Sequence, residues 1–495
     1  MTDQSSSLEN PLRRLSPLAL IAGALVLLAW AVASGQPLVL GGAVGGVIGA
    51  GVLVAFSQER LLFIELVLSV LVAGTVQYFL GILIVNWLCF ALAAGIFVRF
   101  VIAGTMTNAF RRPSQVLPLV FLILFEIHTL VTTLASGSSM IAILLGLKIY
   151  LPIWLIALVI AFSPITETLV EKLERGVFLA MLVQIPFVFD QHFLTSSWDS
   201  VVGTFAGEPG AGGCNATLML LCLTSILLAI QLYQTGRMAL KAAAGHVTLA
   251  FLILLAGEVK AVIFLLPLAL AVQQFPLFVR NPRKFLTAVP VVLLALATIF
   301  FVYNKLYWTS SDEGRAQTMQ ERSIGALFDW TALDNNTGDA TRFSALAIWA
   351  LDRRTDWPHR LAGYGAGATR LHGSGEPGII GARFAPIAVS STSTSQLLWE
   401  GGLIGLALHT AIILSGSVVC AGLARRAKDD VAKGRLMTIT ALLSVMFVIQ
   451  SYDAFETGQV VEQLLLAVLT GLVCAARRDG TFLPAADEAA EAASP

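Results

Sequence analysis

Charge is scarce in this chain. Asp, Glu, Lys and Arg make up 13% of its 495 residues, hydrophobic residues make up 57%, and the mean hydropathy is +0.81. A soluble domain carries nearer a quarter charged residues, so an ordinary water-facing surface is excluded. Basic and acidic residues both number 31, for a formal net charge of zero. That removes the cationic excess that phosphate-backbone binding requires, and nucleic acid is not an expected partner. Cysteine is also sparse. Of Cys89, Cys214, Cys222, Cys420 and Cys474, only Cys214 falls in a polar stretch. This gives neither a disulfide framework nor a metal-ligand spacing. The first apolar run follows Arg13 and Arg14 but lacks a clear small-residue cleavage site. It therefore reads as a retained span, not a removed leader.

What the chain has in abundance is long apolar sequence. Runs of about 20 residues recur between Pro17 and Ala476, each matching a hydrocarbon core of roughly 30 Å. The expected fold is an all-α polytopic membrane protein with about 12–14 transmembrane helices. Connections carrying Arg13/Arg14, Arg60, Arg111/Arg112, Lys172/Arg175, Arg280/Arg283, Arg425/Arg426 and Arg477/Arg478 alternate with short, nearly uncharged ones. Positive residues favour the cytoplasmic side. Both termini are then expected on the cytoplasmic side of the membrane, with the long polar stretch 304–395 outside. The chain divides into a membrane bundle (1–303), that outer loop (304–395), a C-terminal membrane part (396–478) and a polar, disordered tail (479–495). A second outer loop, 190–215, reads as a lid or rim; its glycines lack a following Lys-Ser/Thr and form no phosphate loop.

Two places inside the apolar sequence stand out. The stretch 246–275 has both ends on the basic side yet looks short for two crossings. A hairpin of short or half-crossing helices with its tip near Gly257-Glu258-Val259-Lys260 resolves this, and places Glu258 and Lys260 in a cavity open to the outside. The alternative is one long span with a snorkelling lysine. Glu126 and His128 lie in one run and Lys148 in the next. Glu126 and Lys148 should both sit roughly 13 Å below the outer surface, close enough to pair. Ionisable groups at that depth are costly unless paired; the pair would lock two helices or open for an anionic ligand.

The outer loop holds nine Lys/Arg and nine Asp/Glu, so its chemistry rests on placement. Segment 341–352 predicts an amphipathic helix on the membrane face, opened by Arg342. Arginine stays charged and binds phosphate through two parallel N–H donors. Arg353 and Arg354 follow. Gly363, Gly365 and Gly367 permit close approach of backbone to a ligand. His359, His372, Glu376 and Glu258 are the candidate proton acceptors. The Ser/Thr run 390–395 caps the next helix, with Ser393 and Gln396 spaced as a capping box.

Taken together, Arg342, Pro358, Gly363/Gly365 and the run Glu400-x-Gly402-Leu403-x-Gly405 resemble the O-antigen polymerase/O-antigen ligase superfamily of bacterial envelope enzymes. The spaced Arg354 and Gly365 resemble the loop motif of its polymerases, and Lys260 matches a basic residue of an earlier span. Where the ligases carry His-Asn, this chain has Ser391-Thr392, which favours a polymerase. The resemblance implies a GT-C-like membrane fold and metal-independent, inverting glycosyl transfer without a cofactor. Its donor would be an undecaprenyl-pyrophosphate-linked oligosaccharide, with a chain-length-regulating or export protein as partner. It implies Lys260 and Arg342 at the leaving group, with Glu258, His359 and His372 as acid–base candidates. Arg353, Arg354, Lys148, Gly363, Gly365, Ser391 and Glu400 would contact pyrophosphate or glycan. The rival readings are an O-antigen ligase or protein O-oligosaccharyltransferase and, in another class, a lipid-linked sugar flippase.

Overall fold

The computed structural model describes residues 37–82, 85–107, 110–194, 201–205, 215–257, 259, 261–283, scattered positions from 286 to 301, 333, 340–371, 377–476 and 481–483. Glu258, Lys260, His372 and Glu376 lie outside the described residues.

The protein is an all-α polytopic membrane protein. Its first helices are α1 (Pro37–Ala55), α2 (Gln58–Leu80), α3 (Val85–Thr107), α4 (Leu117–Ala135), α5 (Met140–Phe162) and α6 (Glu167–Phe193). They are followed by α7 (Asn215–Gln234), α8 (Leu240–Ala256) and α9 (Val262–Arg280). Three short helices, α10 (Arg342–Leu351), α11 (Trp357–Ala362) and α12 (Ile379–Phe384), form a polar cap. The chain re-enters apolar sequence through α13 (Ser393–Glu400), α14 (Gly402–Ala424), α15 (Asp430–Ile449), a single turn α16 (Phe455–Gly458) and α17 (Val460–Ala475). Among the described residues nine helices are long and apolar enough to cross a membrane; α8 and α17 are apolar but shorter. The only β-pairing among them is one isolated bridge, Leu333 to Ala340.

Polar residues punctuate the apolar runs where helices must start. Ser139, Thr166 and Asp429 accept the first free backbone N–H groups of α5, α6 and α15. These caps satisfy donors that hydrocarbon could not. α7 and α15 form the centre, with 83% and 72% of their apolar windows buried, against 28–44% for the other long helices. Phe125, Trp154 and His409 stack edge to face where α4, α5 and α14 meet.

The stretch 246–275 belongs to two helices, α8 and α9, that break at Gly257, the expected position of the hairpin tip. At 17 and 19 residues they run about 26 and 28 Å, more than half-crossings. Glu126 and Lys148 do not pair. The Lys148 ammonium instead sits over the rings of Trp87 and Phe90 on α3, at 3.9 and 5.3 Å. Both Glu126 carboxylate oxygens are buried without a hydrogen bond. Equal depth on neighbouring helices did not give a common face. Of the 190–215 loop, residues 195–200 and 206–214 lie outside the described residues. Residues 201–205 are buried and held by Gln184 and Gln191 of α6, which bond the backbone of Val202, Gly203 and Thr204.

Candidate functional site

The polar cap is built outward from Glu400, the last residue of α13. Its side chain is 3% exposed. One carboxylate oxygen accepts from the Thr369 hydroxyl (2.6 Å) and backbone N–H (3.2 Å); the other accepts from the Tyr150 hydroxyl (2.8 Å) and the Gln396 amide (3.4 Å). One acid thus joins a cap loop, a long membrane helix and its own helix. Glu400 therefore anchors the cap to the membrane helices, with both carboxylate oxygens engaged inside the protein.

The glycine run is committed in the same way. Tyr364 N and Gly365 N donate to the carbonyls of Trp399 and Glu400, and Ala366 N donates to the Thr133 hydroxyl on α4. Gly363, Gly365 and Gly367 have φ of 81°, 87° and 81°. Their open faces are filled by the protein's own backbone. A Cβ on Gly363 would lie 2.2 Å from the Glu400 carbonyl oxygen, and one on Gly365 2.8 Å from Thr133 Cα. The close approach expected of these glycines is real, but the approaching partner is the top of the membrane bundle. His128 completes the clamp by donating from Nε2 to the Gly401 carbonyl (2.7 Å).

The Ser/Thr run is structural too. The capping box is Thr392 with Ser395, one residue earlier than the spacing of Ser393 and Gln396 suggested. Ser391 donates to the Ala340 carbonyl (2.6 Å) and Ser393 to the Asp453 carbonyl (3.2 Å). Ser391 therefore pins the start of α10.

The cationic and titratable candidates occupy two separate places. Arg342 opens α10. Its guanidinium lies 4.1 Å over the Tyr452 ring, and its Nε donates to the Tyr452 carbonyl. Neither terminal nitrogen has a protein acceptor among the described residues. Arg353, Arg354 and His359 lie past the far end of α10, whose ten residues span about 15 Å. Arg353 and Arg354 are exposed. His359 stacks on Tyr364 at 4.2 Å and donates from Nδ1 to Asp356 (2.5 Å). A carboxylate-oriented imidazole of this kind leaves Nε2 as the proton-accepting atom. Lys148 stands apart from both places, within the field of Arg370.

Residues that the sequence did not single out hold this arrangement. Arg383 donates to Asp352 (2.8 Å) and to the Tyr364 hydroxyl (3.1 Å), and Arg360 donates to the carbonyls of Trp349, Ala350 and Asp352 at the end of α10. Tyr452, Tyr150 and Thr369 are ordinary residue types in apolar or loop sequence and carried no spacing signal. Arg383 could have been suspected as one of nine cations in the loop.

Asp352 is held below the usual carboxylate range. Burial alone would push it up, but the Thr355 hydroxyl, the Arg354 N–H and the charges of Arg383 and Arg360 outweigh that. A carboxylate depressed in the folded state stabilises it above the unfolded value, near pH 4, and loses that contribution as pH falls further. In thermal unfolding of the purified protein, wild type should lose more stability below pH 4 than Asp352→Asn does. Identical pH profiles would contradict this role.

Neither a protein-family model nor a curated protein matches the chain.

Proposed function

We propose that this protein polymerises lipid-linked oligosaccharide repeats on the outer face of a bacterial cytoplasmic membrane. Both termini would be cytoplasmic and the polar cap periplasmic. The donor is a glycan on undecaprenyl pyrophosphate. An acceptor sugar hydroxyl attacks the anomeric carbon, the bond to the pyrophosphate oxygen breaks, and lipid pyrophosphate leaves. Arg342 is the group assigned to the leaving pyrophosphate.

The observation that carries this reading is the seating of Arg342. Its ring-stacked, Nε-tethered guanidinium sits where the cap meets the α15–α17 connection, with its outer N–H groups unclaimed among the described residues. A fixed planar donor of this kind suits a phosphate oxygen pair, and donors already in place where charge develops lower the barrier. Pyrophosphate is a good leaving group, so positioning of the two sugars supplies much of the remaining acceleration. The polymerase reading is favoured over ligation because Ser391 and Thr392, standing where the ligases carry His-Asn, are spent on capping and pinning. His359, oriented by Asp356, is the described candidate for accepting the hydroxyl proton.

The test is binding to purified protein. Arg342→Ala should weaken binding of undecaprenyl pyrophosphate about tenfold or more, the scale of a lost charge-assisted contact, and leave undecaprenol binding unchanged. Unchanged pyrophosphate affinity would overturn the assignment of Arg342.

A further inference from the structure

A chamber of about 560 Å³ lies between α2, α6, α7, α15 and α17. Its walls are almost wholly apolar. Along α17 it runs from Glu462 to Leu472, about 15 Å. Val67 on α2 and Leu179 on α6 both line it and are 49% and 61% exposed. The chamber is therefore open sideways, through a wall that faces hydrocarbon. At its far end Phe482 and Arg435, the latter bonded to Glu174, close it.

The other end has a polar feature without a structural explanation. Glu462 is 1% exposed and lines the chamber. One of its carboxylate oxygens accepts from the Thr217 hydroxyl; the other, Oε2, has no hydrogen-bond partner. An unmatched buried acceptor is costly, and ionisable groups at membrane depth usually serve a ligand or pathway. A site of this size, with a mostly apolar surface and an unmatched acceptor at one end, fits an apolar molecule oriented by a single hydrogen bond.

We infer that the chamber binds one long apolar chain, admitted from the bilayer between Val67 and Leu179, whose hydroxyl or amine end donates to Glu462. The inference is independent of the glycan-transfer reading. Two bilayer sources share this chemistry, a polyprenol-type chain and an amine-headed phospholipid.

The probe is hexadecanol carrying a diazirine on its chain, photolysed with the full-length protein in detergent, with labelled peptides mapped by mass spectrometry. Labelling is expected on α2 from Leu66 to Leu71 and on α17 from Glu462 to Leu472, and unlabelled hexadecanol should compete. Leu465→Trp, which fills the chamber, should cut this labelling about tenfold, a loss of about 1.4 kcal/mol in binding. Glu462→Leu should do the same, whereas Glu462→Gln, which keeps a carbonyl acceptor, should retain labelling. The Glu462 pair decides the matter if Leu465→Trp fails to fold. Competition by undecaprenol or by phosphatidylethanolamine identifies the source. The proposal is overturned if chamber labelling does not exceed that of Ile123, Leu124 and Ile127 on the outer face of α4, if no competitor acts, or if Glu462→Leu labels like wild type.

Discussion

Replacing Glu400 with alanine is expected to release the polar cap from the membrane helices. The carboxylate accepts from Tyr150, Thr369 and Gln396, which belong to three different parts of the chain. Alanine removes the acceptor and leaves the donors in place. Each buried donor left without a partner costs about 1–3 kcal/mol. The Tyr150 hydroxyl and the two Thr369 donors together put the loss at roughly 3–5 kcal/mol, the range reached only by broken buried networks. Glu400→Gln is the informative contrast. Its carbonyl can keep the Thr369 bonds while its amide meets the Tyr150 oxygen, so the loss should be only ~1 kcal/mol. Thermal unfolding and limited proteolysis of the cap would read both. An alanine variant as stable and as protease-resistant as wild type would show that Glu400 is not the anchor.

Gly363→Ala is expected to be similarly damaging for a different reason. Gly363 has φ 81° and ψ −176°, a region essentially confined to glycine. Holding an alanine there costs about 1–3 kcal/mol in backbone strain. Its Cβ would also stand 2.2 Å from the Glu400 carbonyl oxygen and 2.6 Å from Gly401 N. These are backbone atoms that cannot rotate away, and relieving such overpacking costs a further ~1–3 kcal/mol. Gly176 supplies the control. It lies within α6, where an added methyl group would meet nothing within 4 Å, and it has no positive φ. Gly176→Ala should be neutral or stabilising by up to about 1 kcal/mol. Equal effects at the two positions would contradict the clamp.

The fold class was legible because apolar length is a direct consequence of membrane thickness, and it needs no knowledge of which helix touches which. The short cap helix at Arg342 was legible for a similar reason, since its apolar spacing is local. Facing was not legible. Glu126 and Lys148 have matching depth on consecutive helices, but depth fixes only one coordinate; rotation about each helix axis turned Lys148 towards Trp87. The glycine run shows the same limit. Sequence indicated that Gly363 and Gly365 permit a close approach, expected to be to a ligand, and could not say that the atoms packed against them are those of Glu400 and Thr133. Glu400 was found by its motif, but its bonds to Tyr150 and Thr369 were not legible, because an acid that binds internal donors and one that binds a sugar look alike in one dimension. The capping residue shifted by one for a physical reason as well. Several neighbouring hydroxyls could cap α13, and Ser393 was drawn to the Asp453 carbonyl.

The central proposal is that the cap side of this membrane protein carries glycan transfer from a pyrophosphate-linked donor, with Arg342 at the leaving group. The most direct measurement is turnover by purified full-length protein given a polyprenyl-pyrophosphate oligosaccharide from the native host, with chelator present and products separated by size. The proposal predicts a ladder of added repeats that disappears in Arg342→Ala, while the variant still elutes as a folded, monodisperse protein. Transfer only when a separate lipid or protein acceptor is supplied would move the reading to ligation. A ladder of unchanged intensity in Arg342→Ala, or no transfer to any acceptor despite bound donor, would contradict it.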